Sequence, residues 1–251
     1  MLIVHFIRKI VLGDFLIKNL IQEKERRTKM KKIVFFFIVV IAIVFIQLVQ
    51  VSAFELRPYF EVGSQVMDEP GDKGSRSNIG IGIQPFFQKD NLDYWLDLRL
   101  WTTFEPADEK ISAPTGAKHL SIGGRYRLFE FGNYSLSPFL TIGWESWKRN
   151  LENCSTFINR FTDIQFASTN FGVRIQRGKF FLDAGANYPF WNSTDNDNLS
   201  GQFGYNGFLG YEAKWAIIGV YGDSYRFRGG RFQPDFNFYR VGLRMIFKIH
   251  F

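Results

Sequence analysis

His119 and Ser121 are the residues best suited by type to covalent chemistry. An imidazole can take the proton of a serine hydroxyl, and two positions apart on a strand the pair would share a face. A working pair also needs an acid that orients the ring. No glutamate stands at a suitable spacing, because Glu130 would fall at the opposite end of its strand. A non-enzymatic protein is therefore the main expectation, with a hydrolase using His119 and Ser121 as the alternative.

A second constellation is ionic. Arg57, Glu61, Asp97, Arg99, Arg125, Glu145, Arg174, Asp183, Glu212, Arg240 and Arg244 all sit at alternate positions opposite apolar neighbours. If these rows are enclosed, the two signs can pair and fill a narrow interior, or they can line a conduit for ions or small solutes. In a narrow barrel mutual pairing is the favoured reading.

Other chemistry is poorly supported. Cys154 is the single cysteine, so no internal disulfide forms, and it lies in a polar stretch with no histidine beside it. Asp195 and Asp197 begin like a calcium loop, but the later glycine and glutamate positions do not match. No zinc-spaced set or phosphate-cradling glycine loop is present, and no cofactor is expected. The net charge of +7 would ordinarily suggest nucleic acid. Residues 1–53, however, carry nine Lys/Arg against three acids, or +6, leaving 22 − 21 = +1 for residues 54–251. The basicity belongs to the leader, which excludes nucleic acid as a partner.

Those side chains must be positioned by strands. Tyr239, Val241, Leu243, Met245, Phe247, Ile249 and Phe251 form one apolar row, and the intervening row is mostly polar. A period of two over this length predicts a strand between two different environments. The same alternation predicts strands over 54–63, 78–88, 92–104, 117–129, 135–147, 163–177, 180–190, 203–213, 215–226 and 235–251. Long polar breaks, such as 64–77, alternate with short turns near Asp90, Gly132, Gly178 and Lys214. The fold class expected is all-β: an antiparallel up-and-down barrel of about ten strands, with eight or twelve as alternatives.

Ahead of the strands, Met30-Lys31-Lys32, the apolar run 33–49 and Val51-Ser52-Ala53 read as a signal peptide over 30–53, cleaved after Ala53. A retained transmembrane helix is the competing reading. Residues 1–29 read as an upstream extension outside the native chain, with translation starting at Met30, or else as an amphipathic extension. The domain is then 54–251.

Alternation cannot say which row faces water: a soluble barrel and a membrane barrel have the same pattern inverted. Aromatic residues near strand ends (Trp101, Phe104, Trp144, Trp147, Phe190, Trp191, Tyr211, Trp215 and Tyr225) suggest interfacial girdles. The last strand, ending on Phe251, resembles the closing strand of bacterial outer-membrane β-barrel proteins. That resemblance implies a Gram-negative outer-membrane location, contact with outer-membrane lipid and lipopolysaccharide, and recognition of the row Tyr239–Phe251 by the barrel-assembly machinery. It implies a monomer with a structural, surface-interaction or narrow, porin-like role. The His-Leu-Ser stretch is also similar to the His-x-Ser pair of outer-membrane lipid A 3-O-deacylases, although Ile122 stands where that family has Asn, and both residues are expected to face the lumen.

Overall fold

Left-handed residues make three of the four short turns. Gly132 (φ 57°) and Gly178 (φ 59°) adopt this conformation without a Cβ clash, and Asp90 (φ 53°) belongs to the few residue types that tolerate it. The computed structural model describes residues 53–70, 72–104, 113–149, 163–194, 199–230 and 233–251. The expected signal peptide and upstream extension lie outside the described residues, as do Cys154, Asp195 and Asp197.

The strands in chain order are β1 (Ala53–Glu69), β2 (Asp72–Lys89), β3 (Leu92–Thr103), β4 (Gly116–Tyr126), β5 (Phe129–Phe131), β6 (Tyr134–Lys148) and β7 (Asp163–Arg177). They are followed by β8 (Phe180–Thr194), β9 (Ser200–Gln202), β10 (Gly204–Glu212), β11 (Ala216–Arg228), β12 (Phe236–Phe247) and β13 (Ile249–His250). All pairings are antiparallel. Each long strand pairs with the next, β10 pairs with both β8 and β11, and β12 returns to β1, so ten strands close a barrel. The short β5, β9 and β13 extend the ladders on β6, β11 and β1.

The faces are inverted relative to a soluble protein. Phe60, Ile81, Leu98, Leu100, Leu140, Phe171, Leu209, Val220, Val241 and Leu243 are exposed, whereas Arg57, Glu61, Asp97, Arg99, Glu145 and Arg240 are buried. On β6 the outward apolar row runs from Leu136 to Trp144, about 26 Å along the strand at ~3.3 Å per residue. A tilt of roughly 40° brings its height to about 20 Å, near the ~25 Å apolar band of a membrane barrel. Ser146 and Lys148 end the row at one edge. With apolar side chains out, ionic side chains in and no open sheet edge, this is a transmembrane β-barrel of the outer-membrane type.

Some expectations need correction. The stretch 64–77 was expected to be a long break, yet it forms most of a hairpin in which Ser64 pairs with Ser77 and Glu69 with Asp72. Its small polar residues read as a loop, but two such segments facing each other across a tight turn complete one another's backbone hydrogen bonds. The second correction concerns the aromatics. Phe104, Phe190, Tyr211 and Trp215 are exposed as a girdle requires, but Trp101, Trp147 and Tyr225 are buried inside the barrel. They share the inward parity of Arg99, Glu145 and Asp223, and being near a strand end does not override parity. The tenth segment also breaks at Lys248, and the fourth at Arg127–Leu128.

Leu140→Arg, in the middle of the outward band, should destabilise the barrel by about 2–4 kcal/mol. Ser75→Arg, on the polar hairpin, should change stability by less than about 0.5 kcal/mol. Equilibrium urea unfolding of both variants in lipid vesicles checks the difference.

Candidate functional site

The lumen is divided into layers by the type of inward side chain. At the long-loop end Met67, Trp101, Trp147, Ile164, Phe166, Tyr225, Phe227, Phe236 and Phe238 meet in one cluster, joined by Ala113, Ala117 and Leu199. Trp147 lies 4.3 Å from the Phe238 ring and 4.7 Å edge-on to Phe166, and Phe227 stacks on Phe236 at 5.0 Å. Beyond this plug, Arg149 and Glu69 pair at 3.1 Å, and Gln233 Nε2 donates to Glu69 Oε1 at 2.8 Å.

Beneath the plug is an ionic layer. Arg240 donates to Asp223 at 2.7 Å and lies 3.8 Å from Glu145. Arg99 sits between Glu61 (3.8 Å) and Glu145 (3.9 Å), and Arg244 donates to Glu61 through Nε and Nη2 at 2.9 and 2.7 Å. Tyr59 donates its hydroxyl to Asp97 Oδ1 at 2.7 Å. Towards the short turns the pairs are simpler. Arg174 grips Asp183 with two hydrogen bonds of 2.6 Å, Arg125 pairs with Asp93, Arg57 with Glu55 and Lys248 with Glu212. Arg57 also lies over the Phe86 ring and Arg174 over Phe181, at 3.4 and 3.8 Å, which satisfies the flat faces of the guanidinium groups.

All eleven charged positions singled out from alternation thus lie on the inward rows, and each has a counter-charge or hydroxyl partner. Glu55, Asp93, Asp223 and Lys248 were missed as partners, although each shares its strand's inward parity. A cavity of about 220 Å³ remains between the ionic layer and the short turns. His119, Ser121, Asp97, Arg125, Asn170 and Arg244 are among the residues that line it.

His119 and Ser121 face this cavity, with Nε2 and Oγ 3.0 Å apart. The expectation that no glutamate reaches them is corrected: Glu145, paired with His119 across β4 and β6, places Oε2 3.4 Å from His119 Nδ1. Glu130 instead pairs with Arg127 at the short-turn end, at 3.2 Å. Among the described residues no group of three His, Cys, Asp or Glu side chains is arranged to hold a metal ion. On the outward face, Val241, Leu243, Ile249 and Phe251 are exposed, and the Phe251 ring stacks on Phe54 at 5.4 Å.

Arg240 is fully buried between two acids, so Arg240→Met should cost about 3–5 kcal/mol by stranding Asp223 and Glu145. Adding Asp223→Asn should recover part of that loss. A double-mutant cycle on unfolding midpoints measures both.

No family model matches the chain, and no curated protein matches it. Among solved structures it is similar to Neisserial surface protein A at 8% identity and a TM-score of 0.37, over 78% of this chain and 97% of that one. The outer membrane protease OmpT from Escherichia coli is similar at 9% identity and a TM-score of 0.43, over 80% and 98% of the two chains. Ail, the attachment invasion locus protein of Yersinia pestis, is similar at 9% identity and a TM-score of 0.30, over 78% and 99%. At these values the likeness carries no functional meaning for this chain.

Proposed function

We propose that the protein is a closed outer-membrane barrel whose role lies in its outward-facing loop end, as a structural or surface-interaction element, and that it does not conduct solutes. The observation that supports this is the aromatic plug. Its members come from β1, β3, β4, β6, β7, β11 and β12, so it spans the lumen from most sides, and each is at most 8% accessible. Among the described residues, interior packing of this kind leaves no continuous water path.

The β1–β2 hairpin fits the same reading. Its outward row turns from Phe60 and Val62 to Ser64, and from Ile79 to Ser77 and Ser75, so its tip rises out of the apolar band into a polar phase. The ion pair between Glu69 and Arg149 ties this hairpin to the residue that follows β6. Lipid and lipopolysaccharide would contact the exposed apolar rows. The barrel-assembly machinery would read the outward row Tyr239, Val241, Leu243, Met245, Phe247, Ile249 and Phe251, of which Phe251 is 79% exposed.

The full-length protein reconstituted in a planar lipid bilayer should give no discrete conductance steps, and Trp147→Ala combined with Phe166→Ala should introduce them. Steps of defined size from the unmodified protein would contradict the closed-barrel reading.

A further inference from the structure

We infer that Ser121, His119 and Glu145 form a lumenal nucleophile triad able to cleave a small carboxylic ester that enters the cavity. This activity is independent of the closed-barrel role. It also differs from lipid hydrolysis: Leu120 and Ile122 occupy the lipid-facing side of β4, and the triad is on the other face.

The geometry carries the assignment. Ser121 Oγ lies 3.0 Å from His119 Nε2, within reach of a direct proton transfer. On the far side of the ring, Nδ1 faces the Glu145 carboxylate at 3.4 Å. The acid, base and hydroxyl therefore stand in the order that nucleophilic hydrolysis requires. Nδ1 and both Glu145 oxygens are buried and make no hydrogen bond of good geometry, as is common for catalytic contacts before substrate binds. Arg99 and Arg240, at 3.9 and 3.8 Å, balance the charge of Glu145 without displacing it from the imidazole. Asp97 lies 4.0 Å from Nε2, on the serine side.

The room for this arrangement comes from Gly143, which pairs with Ser121 across β4 and β6. A Cβ there would come within 2.9 Å of the Ser121 Cβ and 3.4 Å of His119 Cε1. A larger residue would push the pair apart or cover it. Ser121 and His119 also line the 220 Å³ cavity, which reaches Phe86 and Ile246 near the short turns. Its size suits a short ester, and it lies on the opposite face of β4 from the lipid-facing Leu120 and Ile122.

In the reaction, Ser121 Oγ bonds to the ester carbonyl carbon and its proton passes to His119 Nε2. The bond to the leaving alkoxy oxygen breaks, and that oxygen takes the proton from Nε2. Water then attacks the acyl-serine and gives a proton to Nε2. The acid departs as the proton returns to Ser121 Oγ. Glu145 is a positioning residue that holds the ring in the orientation these transfers need.

The test is labelling of the folded full-length barrel in detergent with diisopropyl fluorophosphate, located by peptide mass spectrometry, alongside p-nitrophenyl acetate hydrolysis. Heat-dependent gel migration confirms that each variant is folded. The expected result is an adduct on Ser121 that is absent in Ser121→Ala. Labelling should fall at least ~100-fold in His119→Gln, as loss of a general base predicts. In Glu145→Gln, which keeps the shape and loses the charge, it should fall by about tenfold or more. Unmodified barrel that is folded yet unlabelled at Ser121, labelled on another serine, or labelled equally fast in His119→Gln overturns the inference.

Discussion

Closure of the ladder between β1 and β12 is the constraint on which the rest of the molecule depends. In hydrocarbon no water is available to an unpaired amide or carbonyl, so an open edge would leave a whole row of polar groups unsatisfied. The seam from Tyr59–Ile246 to Asp68–Asn237 removes that edge. Once the sheet is closed, the alternation of each strand has one consistent consequence: every inward row shares one small volume. Arginines and acids from different strands must then meet, and the short distances between them follow from the enclosure.

Buried ion pairs add little net stability by themselves, because desolvation offsets much of the attraction. In this barrel the apolar alternative exists side by side with them. The loop end is filled with aromatic rings and the remainder with charged pairs, and the second leaves the cavity that His119 and Ser121 line. The division between a dry plug and a polar chamber is thus set by which inward residues each strand contributes along its length.

Much of this was legible in the residues. Ten alternating segments, their inward and outward rows and the turns at Asp90, Gly132 and Gly178 follow from a period of two and from turn chemistry. The hairpin 64–77 was not legible, since serine, glycine and aspartate carry no strand signal until a matching segment faces them. Trp101, Trp147 and Tyr225 were legible by parity but were read by their nearness to strand ends. Glu145 was hidden for a different reason. Its contact with His119 depends on the register between β4 and β6, which the interruption at Arg127–Leu128 shifts by one residue from the register set at the Gly132 turn, and spacing along the chain does not reveal that shift. Asp223 and Asp93 were missed likewise, although their parity pointed inward.

Arg244 and Glu61 sit on opposite sides of the seam and are 183 positions apart in the chain. Contacts so distant in sequence form late, after the nearest-neighbour hairpins have assembled. Until then Glu61 faces an unfinished, wet trough without this guanidinium. The pair therefore behaves as a latch: it engages only when the first and last long strands arrive side by side, coupling the neutralisation of the interior to the final act of assembly.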